Sequence, residues 1–299
     1  MYNVSRENVE FNIKEGTPKK IFFKSPYPSG NQIIDQAKAL EFGKSKAKRA
    51  LIFIHGFGDM QMFELLKYYP KYFAEKDYTV LMPVLPFLLE RKPQKYREKD
   101  LFLSGFAEDI EKRFYQSVID IRACIDYLER EEYEEVNIMG YSFGGVISTI
   151  AMALDQRLKK SVLVVAGGNL EYITWQSLAT SELRKRYWEE EFCDRETCHE
   201  LHKKFDQAAA EFEKIEDLKN LPPCFRYDPS LFAHKIKSKN VLMFNAIFDD
   251  LIPTEAADDL WERIGRPKRY NLIAGHYTTH IFFKKFICKK ADKFFSRRT

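Results

Sequence analysis

Three residues of this chain, Ser142, Asp249 and His276, have the side-chain types needed to turn a hydroxyl into a nucleophile. A serine hydroxyl attacks poorly at neutral pH. It becomes competent when an imidazole takes its proton and a carboxylate fixes the imidazole tautomer and stabilises its charged form. Ser142 is the centre of Gly140-Tyr141-Ser142-Phe143-Gly144, and the flanking segments give that pentapeptide its meaning. Glu135 to Met139 is a short β-branched and apolar run that reads as a buried strand, and Val146 to Leu154 runs on without Pro or further Gly and reads as a helix. Strand, sharp turn, helix is the setting of a G-x-S-x-G nucleophile elbow, in which Gly on either side lets strand and helix approach closely around a strained Ser.

The acid and the base each follow a segment that reads as a core strand. Val241 to Ala246 precedes Asp249 and Asp250, and Arg269 to Ile273 precedes Ala274-Gly275-His276. Asp249 is favoured as the acid because it stands four residues before Pro253, with Asp250 as the alternative in the same loop. His276 is favoured over His280 because it follows the strand and a Gly directly, and His280 reads as a capping or packing residue in the last helix. A fourth signal lies upstream. Ala50 to Ile54 is continuously apolar and runs straight into His55-Gly56-Phe57, where Gly lets the main chain turn its donors toward a substrate. The N–H groups of Phe57 and Phe143 are therefore expected to form an oxyanion hole, with His55 bracing the loop. Met60, Met62, Leu88 and Trp175 are expected to line an apolar substrate pocket.

These loops need a scaffold, and the rest of the chain supplies one. Residues from about 8 to 45 alternate apolar and polar positions and contain Pro26, Pro28 and Gly30, which predicts two or three antiparallel edge strands, the last of which reads equally as a short helix. Met62 to Glu75 has helical spacing, Tyr78 to Met82 is a strand, and Glu90 to Lys99 is basic and turn-prone. Asp109 to Arg130 places Ile110, Phe114, Val118, Ile121, Ile125 and Leu128 on one helical face. Ser161 to Ala166 is a further strand, and a helix is expected over Thr254 to Ile264 and another over Thr279 to Phe295. Strands alternating with helices predict a doubly wound, mostly parallel α/β sheet with antiparallel N-terminal strands. That alternation is interrupted by charged helix formers studded with aromatics, among them Trp175, Tyr187, Trp188, Phe192, Phe205 and Phe212. The domain reading is thus a core of 1–168 and 239–299 with a helical cap inserted at 169–238.

Whole-chain properties narrow the function classes. Lys+Arg 48 against Asp+Glu 44 leaves a net charge of +4 over 299 residues, spread along the chain, which does not predict a nucleic-acid partner. Five cysteines (Cys124, Cys193, Cys198, Cys224 and Cys288), odd in number and widely spaced, and a polar N-terminus predict reduced thiols and a cytoplasmic protein. No run reaches the roughly 18 to 20 apolar residues of a membrane span. Cys193, Cys198, His199 and His202 match no standard zinc spacing, so neither a metal nor a cofactor is expected.

Taken together, His55-Gly56-Phe57, the pentapeptide at 140–144, Asp249 with Ile252-Pro253, and Gly275-His276 resemble the α/β-hydrolase superfamily over nearly the whole chain apart from the inserted segment. Their order, Ser142, Asp249, His276, is the order found in that superfamily. Pro86 to Arg91, followed by the helix that carries Gln116, Asp120 and Arg122, is similar to the group typified by α/β-hydrolase domain-containing protein 18 and its bacterial relatives, with Leu88 where many of them carry an aromatic residue or His. The resemblance implies a serine hydrolase acting on a small-molecule carboxylic ester or thioester through an acyl-enzyme on Ser142. A non-catalytic binding or scaffold protein of the same fold is the alternative from another class, and an aminopeptidase-like peptidase is a third. The oligomeric state is left open.

Overall fold

The computed structural model describes residues 2–44, 47–93, 107–133, 135–185 and 193–297. Its centre is a nine-stranded sheet: β1 (Asn12–Lys14), β2 (Lys19–Lys24), β3 (Gln36–Phe42), β4 (Arg49–Ile54), β5 (Tyr78–Pro83), β6 (Val136–Tyr141), β7 (Leu158–Val164), β8 (Val241–Ala246) and β9 (Lys268–Leu272). The spatial order is β1-β2-β3-β5-β4-β6-β7-β8-β9. The first three strands and the β3–β5 pair are antiparallel, and every later pair is parallel. The segment at 37–42 that reads equally as strand or helix is strand β3.

Parallel pairing needs helices on both faces of the sheet, and the central strands are accordingly buried throughout. All six residues of β5, of β6 and of β8 are buried. The helices that matter for the site are α1 (Met60–Leu66), α2 (Tyr68–Ala74), α3 (Ala107–Arg130), α4 (Phe143–Leu154), α5 (Leu170–Gln176), α6 (Arg195–His202), α7 (Phe205–Glu211), α8 (Thr254–Arg263) and α9 (His276–Phe295). On α3 the six apolar residues of the expected face are all 3 % exposed or less. Burying six such side chains contributes on the order of 10 kcal/mol before entropy is counted.

Two helices differ from expectation, each for a local reason. The single helix expected over Met62 to Glu75 is two, parted at Lys67. Pro70 has no N–H to offer the Leu66 carbonyl, so the hydrogen-bond ladder cannot run through. The last helix begins three residues earlier than expected, at His276, because Gly275 serves as its N-cap: the Thr279 N–H donates to Gly275 O at 3.0 Å, and the Thr278 hydroxyl accepts from the Gly275 N–H at 2.7 Å.

Between β7 and β8 the described chain is helical, with α5, α6 and α7 followed by single turns at Pro223–Arg226 and Pro229–Phe232. Phe205 packs on Phe225 and Phe212 on Phe232, and these buried rings join the segment to the main core. Tyr187, Trp188 and Phe192 lie outside the described residues, as does the basic stretch beyond Pro93. Among the described residues no helix is long and apolar enough to cross a membrane.

Arg91, Gln116, Asp120 and Arg122 have a structural part. Arg91 is 1 % exposed. One of its Nη atoms lies 2.8 Å from the Asp120 carboxylate and donates to Val84 O, and its Nε donates to Ile34 O. Asp120 also accepts the Ser25 hydroxyl at 2.6 Å, Gln116 donates to Asp35, and Arg122 pairs with Asp155. These contacts tie the antiparallel strands, α3 and the loop after β5 together.

Candidate active site

All six parallel strands point the same way, so the loops that leave their C-terminal ends share one edge of the sheet. β4 delivers His55 to Gly58, β6 delivers Ser142, β8 delivers Asp249, and β9 delivers His276. This is the edge where open α/β sheets gather their reacting groups.

The turn at Ser142 is tight because its glycines leave no room for anything else. A Cβ on Gly140 would sit 2.3 Å from Gly144 O, and one on Gly144 would sit 2.2 Å from Ile54 O. Ser142 itself has φ 56 and ψ −125, outside the region that L-residues favour, a conformation costing on the order of 1–3 kcal/mol. Two backbone bonds hold it there: the Ser142 N–H donates to Val164 O at 2.8 Å, and the Gly145 N–H donates to Ser142 O at 2.7 Å.

The three expected residues are brought together. His276 Nε2 lies 2.8 Å from Ser142 Oγ, and His276 Nδ1 lies 2.9 Å from both carboxylate oxygens of Asp249. A carboxylate only accepts, so Nδ1 carries the proton and Nε2 presents its lone pair to the serine hydroxyl. Asp249 is held in place because its Oδ1 also accepts the N–H groups of Leu251 at 3.0 Å and Ile252 at 2.8 Å. Asp250 is exposed, and its carbonyl accepts the Leu178 N–H. Of the two acids in the loop, the geometry joins Asp249 to the imidazole.

His280 packs instead. It is buried against the rings of Tyr69, Tyr68 and Tyr141, and burial lowers its pKa to about 4. His55 is likewise buried: its Nδ1 donates to Gly56 O, its Nε2 accepts the Leu85 N–H, and burial lowers its pKa to about 4. That neutral ring links the loop after β4 to the loop after β5. Phe57 and Phe143 stack at 4.3 Å beside Ser142, and the Gly56 main chain runs so close that a Cβ there would lie 2.9 Å from Ser142 Cβ.

A cavity of about 360 Å³ opens beside Ser142 and His276. Phe57, Phe143, Ile110, Phe114 and Val146 supply the core wall, and Leu170, Ile173, Leu183, Pro222 and Tyr227 supply the other. None of the four residues expected to line a substrate pocket does so. Met60 is half exposed on α1, Met62 fills the space over Gly58, and Leu88 is fully buried in the core. Trp175 faces a separate surface groove with Glu171, Arg195 and His199. The reason is helical phase: Leu170, Ile173, Thr174 and Ser177 fall on one side of α5, at i, i+3, i+4 and i+7, and Trp175 falls on the other.

Cys193, Cys198, Cys224 and His202 also border the cavity, while His199 is exposed and bonds Glu171 at 2.7 Å. A hydrogen bond with Cys193 and burial both push the Cys198 thiol well above its usual range, which keeps it protonated.

Sequence reasoning overlooked Tyr141. Its hydroxyl donates to His276 O at 2.8 Å, in a site where burial and the Asp249 charge push the phenol pKa up. The residue before Ser142 thus ties the backbone of the residue that must face it. Tyr141→Phe is expected to lower kcat about tenfold with KM unchanged, since small misplacements of a reacting group cost rate rather than affinity; steady-state kinetics on a chromogenic ester checks the split.

No family model matches this chain. A 49-residue segment is 45% identical to YdjC of Bacillus subtilis (strain 168), over 16% of this chain, so the match spans 42% of that relative's length. Solved structures are similar over most of the chain at low identity. The acetyl xylan esterase of Paenibacillus sp. R4 is 15% identical with a TM-score of 0.61, covering 95% of this chain and 89% of that one. TT1662 of Thermus thermophilus is 14% identical with a TM-score of 0.57, covering 97% and 100%. The esterase Pf2001 of Pyrococcus furiosus is 13% identical with a TM-score of 0.55, covering 96% and 91%. With the strand order and directions above, these likenesses establish that the chain has the α/β-hydrolase fold.

Proposed function

We propose that this protein is a serine hydrolase that cleaves a carboxylic ester or thioester through an acyl-enzyme on Ser142. The observation that carries the reading is the unbroken chain from Ser142 Oγ through His276 to Asp249, with both links at 2.8–2.9 Å. In the proposed reaction the Ser142 proton passes to His276 Nε2 as Oγ bonds the acyl carbon. The resulting oxyanion is held by the N–H groups of Phe57 and Phe143. His276 returns its proton to the leaving alkoxide or thiolate as the acyl–heteroatom bond breaks. Water then gives His276 a proton as its oxygen bonds the acyl carbon, and His276 returns that proton to Ser142 Oγ as the acyl–Oγ bond breaks and the acid leaves. The segment 169–238 serves as a cap whose inner face forms half of the acyl site.

The apolar walls favour an apolar acyl chain, and about 360 Å³ falls in the roughly 300–1,000 Å³ range of sites that enclose ligands far larger than an acetyl group. Extending a p-nitrophenyl ester from acetate to butyrate is expected to raise kcat/KM roughly tenfold, at about 0.8 kcal/mol per buried methylene. A fluorophosphonate is expected to label Ser142 stoichiometrically and to leave Ser142→Ala untouched. Absence of labelling in the wild type would overturn the hydrolase reading in favour of a binding protein.

A further inference from the structure

Apolar side chains that face solvent lie on the loops and the helix that border the acyl cavity. Ile273, Phe282 and Phe248 are 75, 73 and 67 % exposed, and Leu178, Ile281 and Tyr277 are more than half exposed. They belong to one face. The Phe248 N–H donates to Ala274 O, which sets the loops after β8 and β9 side by side, and the Leu178 N–H donates to Asp250 O in the first of those loops. Tyr277 and Ile281 are one turn apart on α9. The patch is also continuous with the cavity: Tyr277 lines it, and Leu178 stands between two lining residues, Ser177 and Ala179.

The exposed stripe of α9 changes character along its length. After Tyr277, Ile281 and Phe282 it presents Lys285, Lys289 and Lys293 to solvent. The helix carries five lysines against one aspartate, an excess of four that equals the formal excess of the whole chain, so the remaining charges balance. An exposed apolar tip beside a cationic row supplies the two terms that add in surface binding, apolar burial among headgroups and attraction to anionic lipids. A single-sign lysine row would repel a second copy of itself, whereas anionic headgroups attract it.

We propose that this face, formed by the loops after β8 and β9, Leu178 and the exposed stripe of α9, docks on an anionic lipid surface and admits an acyl chain from that surface to Ser142. The delivery step rests on the hydrolase reading; the docking does not. The apolar tip sits among headgroups and upper acyl chains, the lysines face lipid phosphates, and an ester-linked chain passes Tyr277 into the cavity without crossing water.

The test is sedimentation with vesicles of equimolar phosphatidylcholine and phosphatidylglycerol, and with phosphatidylcholine alone. The wild type is expected to bind the mixed vesicles, to bind neutral ones far more weakly, and to be released by salt. Lys285→Gln/Lys289→Gln/Lys293→Gln is expected to weaken partitioning roughly a hundredfold, and Ile281→Ser/Phe282→Ser at least roughly tenfold, with turnover of a soluble p-nitrophenyl ester unchanged in both. Ser142→Ala is expected to bind as the wild type does. If it binds while the wild type takes no fluorophosphonate label, the docking stands and the hydrolase reading falls. Failure of the wild type to sediment with mixed vesicles, or wild-type partitioning by both multiple variants, overturns the docking. So does a wild-type dimer in light scattering that Ile281→Ser/Phe282→Ser converts to monomer, because the face would then be a subunit seam.

Discussion

Asp249→Asn is expected to lower kcat for a soluble ester about 10,000-fold while leaving the thermal midpoint nearly unchanged. The amide keeps the size of the carboxylate, and its oxygen can still accept the N–H groups of Leu251 and Ile252. What it loses is the charge against His276 Nδ1 and the ability to enforce the proton on that nitrogen. Once the tautomer is wrong, Nε2 holds a proton where it must take one, and comparable substitutions cost about four decades in rate. Asp250→Asn is the matched control, because its side chain is exposed and has no bond to the imidazole in this structure. Near-wild-type kcat in Asp249→Asn with collapse in Asp250→Asn would reverse the assignment. Stopped-flow or steady-state kinetics on the two variants decides it.

Gly144→Ala is expected to destabilise the fold by about 3 kcal/mol or more and to leave any folded remainder inactive. The added methyl would lie 2.2 Å from Ile54 O and 2.6 Å from His55 O, and both are backbone atoms of a buried strand and its exit. No rotamer change relieves such a contact. The helix would have to lift off β4, and overpacking that the backbone cannot absorb exceeds the usual penalty of about 1–3 kcal/mol. Because that helix begins at the residue after Ser142, its displacement would also carry Oγ away from His276. Chemical denaturation gives the stability change, and fluorophosphonate labelling of the folded fraction gives the loss of reactivity. A wild-type midpoint would show that the elbow has slack the structure does not display.

The central sheet was readable because burial on both faces forces a nearly continuous apolar run, as in Ala50 to Ile54 and Val241 to Phe244. The placement of Ser142, Asp249 and His276 was readable for a related reason: parallel strands must end at one edge, so residues just past their ends meet. The cavity lining was not readable in this way. Which segments meet there is set by contacts between distant parts of the chain, α5 and the turn at Pro223–Arg226 facing α3 and α4, while local phase settles only which side of α5 is presented. Aromatic size suggested Trp175, whereas helical phase selects Leu170, Ile173 and Thr174; that phase was present in the sequence and was the better guide. Choosing Asp249 over Asp250 on structural grounds needed the turn in which its Oδ1 accepts two following N–H groups, and adjacent aspartates look alike until such a turn exists. Tyr141 left no signal, since its partner is a main-chain carbonyl 135 positions away.

The strand order gives the residues of the proposed triad unequal footing. Ser142 stands at the end of β6, mid-sheet, where every residue is buried, while the imidazole hangs from β9, the margin of the sheet, where only Leu272 is buried. Margins open more readily than centres, in excursions far smaller than global unfolding. Under the proposed mechanism reactivity is thereby coupled to a marginal strand: solvent or heat that loosens β9 withdraws His276 while Ser142 still sits in an intact interior. A hydrolase built on these three residues is expected to fall silent before it melts, and to recover its chemistry once that strand pairs again.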